Sequence, residues 1–476
     1  MDFHRCFNPE VKISGGAGYG VLGKDVFYNF YRNLFKGANG GAYVFWQYST
    51  LDPDLTFSQS GKDMVEGFRE LRGEGIGKLV GLAEPDNNGV AIHYSYPSIH
   101  AAWVVDGKIE DHVVYDPSSA TMRRFNSNRD GWVKALRDAG LQFDFIAYGD
   151  VERGKLISKG YKTLILPMSV ALSDKEAEAI REFARRGGVV IADALPGVMD
   201  EHCAFRDRRA LADLFGVAPT RSNREAIVSM KGEPDLKLAG AKALTDEDGL
   251  LLEHAMGRGR AYLLNFFLDR YPEDKLEGRQ AQTQEKLRRV LNAAGIKPTI
   301  KLESPAGKPD CETYLFNQGS TRLLGLVPDK EKSAARKARL IFNQQGALYD
   351  VRRKRYLGFG SVFETELEPA IPKLFALVAS RVAGLELQAP ARARLGEEVT
   401  INFHVAGAGQ LRSVAKVVVT DAAGREVSVY GGNRDIVNGA GGVHFRTALN
   451  DPQGVWRISV TEVISGETAN AEITIQ

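Results

Sequence analysis

The sequence predicts a multidomain protein of class α/β plus β, and three observations lead there. Residues 160–193, GYKTLILPMSVALSDKEAEAIREFARRGGVVIAD, read as strand, loop, helix, strand. From Leu385 onward, apolar and polar residues alternate in short runs separated by turns, the period of half-buried strands. A length of 476 residues exceeds what one hydrophobic core organises, and typical domain size gives about three domains. Shifts in pattern divide the chain into residues 1–85, 86–300, 301–383 and 384–476.

Each element of the central stretch has a local cause. Residues 161–166 are an apolar run with no polar face, as in a strand buried on both sides. Pro167 cannot donate to a ladder and ends that strand. Ser173, with Glu176 three residues on, makes the capping-box pattern. Ala177, Ile180, Phe183 and Ala184 recur at helical spacing, and Arg185 and Arg186 fall in the last turn, where the helix dipole favours cations. Gly187 and Gly188 stop the helix. Residues 189–192 form the next strand, with Asp193 at its carboxyl end. The result is a βαβ unit of a parallel sheet.

Hydrophobic content of 43% and charged content of 26% are ordinary for a globular protein. A net charge of +2 gives no basis for a nucleic-acid or membrane-surface partner. Cys6, Cys203 and Cys311 are odd in number and far apart, so neither a disulfide framework nor a zinc knuckle is expected. No apolar run approaches the roughly 20 residues of a membrane span, and MDFHRCFNPE lacks the apolar core of a signal peptide. Localisation stays open.

Residues 1–85 are rich in glycine between Gly15 and Gly41. Residues 25–35 place Val26, Phe27, Phe30, Tyr31, Leu34 and Phe35 on one side of a helix, and residues 42–48 (AYVFWQY) read as an aromatic buried strand. A further helix, capped at Ser58 or Ser60, turns Met64, Val65, Phe68 and Leu71 inward. GYGVLG at residues 18–23 fits the dinucleotide fingerprint G-x-G-x-x-G. Its leading strand spans only residues 11–14, and the next strand ends Tyr48-Ser49 with no acid at its tip. A glycine-rich loop is the better reading, and no cofactor is expected.

In residues 86–300, strands are expected at 90–94, 143–147 and 260–266, and helices at 131–139 and 283–294, the latter with Leu287, Val290 and Leu291 inward. Such alternation points to a doubly wound layer. Ligands in these sheets sit at the carboxyl ends of strands, which gathers residues 95–98, 167–169 and 193–196 round one crevice. Nothing marks it as catalytic. Cys203 sits in EHCAF rather than on a nucleophile elbow, no G-x-S-x-G occurs, and His93, His100 and His202 lack metal-ligand spacing. Each histidine reads as satisfied or superficial, and no metal site is expected.

Residues 314–316 and 322–327 flank a hairpin turn, and residues 337–342 and 346–350 add strands of a small β-domain. The basic stretches at 330–339 and 352–355 are interrupted by Glu331 and bordered by acids, and they carry no stacking aromatics, so they read as a solvated face. Beyond Leu385, Val399, Ile401, Phe403 and Val405 alternate with polar residues, and short strands with turns between them suggest an immunoglobulin-like sandwich without a disulfide.

The order from NLFKGANGGAYVFWQYSTLDPDLTFS through VAIHYSYPSIHAAW to residues 161–193 resembles the carboxyl-terminal part of family 42 glycoside hydrolases, the β-galactosidase type, over residues 25–380. The resemblance implies the remnant of a (β/α)8 barrel in residues 1–85, a flavodoxin- or amidotransferase-like trimerisation domain in 86–300, and a small β-domain in 301–383; the sandwich is an addition. A barrel needs about 200 residues, so truncation at the N-terminus is expected. By the resemblance Trp46 lines a sugar site; by its aromatic strand alone it reads as core. The family's acid/base glutamate follows an asparagine, and no Asn-Glu pair occurs here. Its nucleophile falls at or before Met1, and Glu10, in NPEVK, does not match. A retaining pair about 5–5.5 Å apart is therefore missing, and no catalytic residue is assigned. Without the other barrel strands, Phe27, Phe30, Phe35, Phe45 and Trp46 are expected to lack cover. The implied partners are copies of the chain in a homotrimer and, in the complete parent, a β-galactoside or related glycan. The competing reading is a non-enzymatic assembly or carbohydrate-binding protein, for which an exposed Tyr430 or Trp456 on the sandwich is the expected sign.

Overall fold

The computed structural model describes residues 2–17, 21–38, 41–44, 50–105, 120–244, 250–305, 311–330 and 334–476. They form two compact units, Asp2–Pro9 with Asn87–Pro298, and Glu10–Asp86 with Thr299–Gln476. The pattern shifts suggest one domain over residues 1–85, but the chain divides that segment. A six-residue helix cannot hold itself together in water. Asp2–Phe7 is instead held in the α/β unit, where Arg5 pairs with Asp144 at 3.5 Å and the Cys6 Sγ accepts from the Phe145 N–H.

In the α/β unit the helices are α1 (Asp2–Phe7), α2 (Tyr96–Val104), α3 (Ala120–Asp138), α4 (Tyr148–Glu152), α5 (Lys155–Ser158), α6 (Asp174–Arg185), α7 (Ala212–Phe215), α8 (Arg224–Ser229), α9 (Tyr271–Leu276) and α10 (Ala281–Ala293). The strands are β1 (Val90–Tyr94), β2 (Asp144–Ala147), β3 (Thr163–Leu166), β4 (Val189–Ala192), β5 (Lys242–Ala243), β6 (Leu251–Met256) and β7 (Gly259–Leu264). They form one sheet in the order β2-β1-β3-β4-β7-β6-β5. Pairing is parallel from β2 to β7 and antiparallel beyond. Alternate residues serve opposite faces. Ala91, Leu164, Leu166, Val190 and Ala192 meet Ile180, Phe183 and Ala184 of α6. Val90, Ile92, Ile165 and Ile191 meet Trp132 and Leu136 of α3 and Leu287, Val290 and Leu291 of α10. Helices cover both faces, which is why these strands carry no polar face.

Two boundaries differ from the sequence reading. β3 starts at Thr163, opposite Val90, rather than at Tyr161. Helix α3 runs over Ala120–Asp138 rather than 131–139. Its buried stripe is Thr121, Phe125, Asn128 and Trp132, and the two polar members break the apolar period. Gly131 lets α3 approach the loop before α9, since a Cβ there would lie 2.1 Å from the Leu268 carbonyl oxygen.

In the β-rich unit, strands Ser14–Ala17 and Gly41–Val44 pair in parallel, joined through helix Lys24–Phe35. Phe30 and Phe35 are buried, against the expectation that this segment lacks cover. Phe30 packs on Phe68 at 4.9 Å between ring centroids, and Phe35 on Tyr314 and Phe316 at 5.6 and 6.0 Å. Cover thus comes from strand Cys311–Gln318 and its neighbours rather than from barrel strands. Phe45 and Trp46 lie outside the described residues. The Arg352 guanidinium sits over the rings of Tyr31 and Phe27 and donates to Glu70.

A seven-stranded antiparallel sheet holds Glu84–Pro85, Cys311–Gln318, Thr321–Pro328, Lys373–Val378, Arg336–Asp350, Ile300–Glu303 and Arg355–Leu367. The last residues form a three-stranded and a five-stranded sheet that fill one core with alternate side chains. Glu398–Ala406 buries Val399, Ile401, Phe403 and Val405, as their alternation requires. Trp456 shares a face with Ile458 and Val460, so it points into that core and its Nε1–H donates to the Pro452 carbonyl. Tyr430 stacks on Phe445 and donates to Asp451. Neither ring is an exposed platform.

Candidate functional site

The three loops expected round one crevice do meet at the carboxyl ends of β1, β3 and β4, where hydrogen bonds join them. Ser95 caps α2, accepting from the Ser98 N–H, and its hydroxyl donates to the Ala171 carbonyl at 3.1 Å. The Ser98 hydroxyl donates to the same carbonyl and accepts from the Ala171 N–H at 3.0 Å. His93, on β1, lies 2.9 Å through Nδ1 from the Ser169 Oγ and 3.0 Å through Nε2 from the Glu176 Oε1. A carboxylate only accepts, so Nε2 carries the proton and Nδ1 accepts from the serine hydroxyl. The other oxygen of Glu176 accepts from the Ser173 N–H at 2.8 Å, closing the capping box of α6.

Serine, histidine and glutamate therefore stand in the order nucleophile, base, orienter, at hydrogen-bonding distances. The side chains of His93 and Glu176 have no solvent exposure and Ser169 is buried. Both Glu176 oxygens are occupied. What the arrangement does is tie β1, the loop after β3 and the first turn of α6 together. His93 is the satisfied histidine that the sequence suggests, whereas Glu176 has a second role invisible in the capping pattern.

Asp193 closes the neighbouring position. Its carboxylate accepts from Asn128 Nδ2 at 2.7 Å, Trp132 Nε1 at 3.0 Å and the Met168 N–H at 2.6 Å. Complete burial pushes its pKa up to about 7; the three donors pull the other way, and the charge of Asp269 adds a little to the rise. Met168 and Leu195 hold left-handed backbone, with φ of 42° and 64°, each an unfavourable conformation by about 1–3 kcal/mol for a residue with a side chain. The Asp193 bond to the Met168 N–H holds one of those turns in place. Sequence reasoning named neither Trp132 nor Asn128, whose side-chain carbonyl accepts from the Leu268 N–H. Its signal is an amide lying three residues after Phe125 and four before Trp132, within the apolar stripe.

The other sequence candidates stay apart. Cys203 is half-buried, and burial raises its thiol pKa, which is the reverse of an activated nucleophile. His100, His202 and Glu10 are exposed. Among the described residues no group of three His, Cys, Asp or Glu could hold a metal ion, and no helix is long and apolar enough to cross a membrane. A cleft of about 580 Å³ opens at the amino ends of β3 and β4, lined in part by Lys162, Arg186 and Lys297. Arg186 and Lys297 lie by the carboxyl ends of α6 and α10, where the helix dipoles call for positive charge.

Residues 89–247 match the family model of the β-galactosidase trimerisation domain. The chain is similar to family 42 β-galactosidases. A β-galactosidase from Bacillus circulans sp. alkalophilus superposes with a TM-score of 0.54 at 12% identity, covering 76% of this chain and 55% of that one. Gan42B, a GH42 β-galactosidase, gives 0.54 at 13% identity, covering 79% and 55%. A catalytic mutant of Gan42B from G. stearothermophilus gives 0.51 at 14% identity, covering 74% and 50%. At these identities the likeness is one of fold. The chain spans about half the length of these structures. No curated protein matches it.

Proposed function

We propose that Asn87–Pro298 is an assembly module that joins copies of this chain in a β-galactosidase-like glycoside hydrolase, and that this module does no chemistry itself. The observation that carries the reading is the buried polar network that, among the described residues, joins the strand ends at the carboxyl side of the sheet. Where doubly wound sheets bind ligands, this one has a sealed polar network, and the segment that contains it matches a trimerisation domain. Among the described residues no catalytic group is assigned and no metal cluster occurs, and packing accounts for a domain of this size. The parallel order β2-β1-β3-β4-β7 agrees with the flavodoxin- and amidotransferase-like class.

The same reading extends to the β-rich unit. The parallel pair Ser14–Ala17 and Gly41–Val44 with its connecting helix is a βαβ unit, as the end of a (β/α)8 barrel would be. Trp46 follows that second strand and would line the sugar site of a complete barrel. The substrate would be a β-galactoside or related glycan. The two last sheets stand as an immunoglobulin-like addition. The carbohydrate-binding alternative loses its expected sign, because Tyr430 and Trp456 are buried. Light scattering of the 476-residue chain at micromolar concentration tests the assembly role. A mass three times 52.2 kDa is expected, and a monomer at all concentrations would refute it.

A further inference from the structure

We infer that the outward face of α2, with Tyr148 beside it, is the surface through which copies of this chain associate; the inference rests on the assembly reading above. Helix α2 (YPSIHAAWV) contains no Asp, Glu, Lys or Arg. Its inner face, Pro97, Ser98, Ala101 and Ala102, is buried, the alanines packing in a cluster with Met168, Val170 and Ala171. Its outer face also carries no Asp, Glu, Lys or Arg. Tyr96 is 50% exposed and Val104 63%, with the exposed His100 between them, its ring 4.5 Å from that of Tyr96. A water-facing helix surface ordinarily carries charged residues, and this one has Tyr96 and Val104 instead.

Helices α6 and α10 behave differently. On α6, Glu178 and Glu182 pair with Arg181, Arg185 and Arg186, and on α10 Glu285 pairs with Arg288 and Arg289. Those are faces built for water. Tyr148, 38% exposed at the start of α4, stands at the same end of the sheet. Tyr148 follows Ala147 of β2, which is in register with Tyr94 of β1, so both tyrosines stand at the carboxyl ends of adjacent strands. Aromatic side chains without Lys or Glu are the composition of an interface centre. All four residues lie within the segment matching the trimerisation domain, which selects another copy of the chain as the occupant. In a three-fold ring, this face meets a different surface on the next copy.

The test uses the 476-residue chain. Tyr96→Ser combined with Val104→Glu should lower the mass in light scattering from trimer to monomer and raise the concentration for half-assembly at least tenfold. Circular dichroism should be unchanged, since both side chains point outward. Leu276→Glu, at an exposed leucine on α9, should leave the trimer intact. If the double variant loses its circular dichroism signal, His100→Glu replaces it, with the same expected dissociation. A variant that stays trimeric overturns this inference alone. A monomeric wild-type chain overturns the assembly reading and this inference together.

Discussion

Asp193→Asn isolates the sealed network at the carboxyl end of the sheet. Asparagine keeps the shape of the side chain and removes its titration. The folded protein holds the Asp193 proton up to about pH 7, whereas the unfolded chain releases it near pH 4. Between these values the folded state binds the extra proton. The stability contributed by this group is therefore fully present below about pH 4 and is lost as pH rises through about 7. A difference of about 3 pKa units at about 1.4 kcal/mol each gives on the order of 4 kcal/mol. The stability of the wild type relative to the variant should fall by that amount between pH 4 and pH 8. Urea unfolding followed by tryptophan emission reports on it, because the Trp132 Nε1–H donates to this carboxylate. At about 2 kcal/mol per molar urea, the midpoint of the wild type relative to the variant should move by roughly 2 M. A constant difference from pH 4 to pH 8 would refute the argument. A difference that grows with pH would mean that the three N–H donors outweigh burial.

Three further outcomes are expected. Glu176→Ala removes half of the capping box and the acceptor of the His93 Nε2–H, and should cost about 3 kcal/mol in thermal unfolding, with Glu176→Gln recovering part of it. Arg352→Met keeps the aliphatic stem and removes the guanidinium that joins Glu70 to Tyr31; a loss of about 2 kcal/mol should appear as faster limited proteolysis within residues 10–86. On the sequence reading, which assigns no carboxylate pair, the purified chain should hydrolyse no aryl β-galactoside above background, and turnover abolished by Glu10→Gln would overturn that expectation.

Local chemistry made several elements of the α/β unit legible in advance. Ser173 and Glu176 marked the start of α6, Gly187 and Gly188 its end, and runs such as VAIHY and VVIA marked strands covered on both sides. The alternation of Val399 to Val405 did the same for a strand with one buried face. These signals depend on neighbours within a few residues, so sequence carries them. The convergence of the loops at residues 95, 168 and 193 was also legible, because it follows from parallel strand order.

What fills that convergence was decided by tertiary structure. Glu176 serves a cap, which is local, and His93, 83 residues away. Asn128 and Trp132 reach Asp193 across 65 and 61 residues. Such partners obey hydrogen-bond satisfaction in a buried space rather than any period along the chain, and Asn128 accordingly broke the apolar pattern that would have revealed the first half of α3. The division of residues 1–85 is of the same kind. Composition is uniform across Pro9 and Glu10, and only the packing of Phe35 on Tyr314 and Phe316, and of Arg5 on Asp144, assigned the two sides to different units. The sequence alone determined which residues had to leave water; the partner each one met was fixed by contacts distant in the chain, whose geometry exists only after folding.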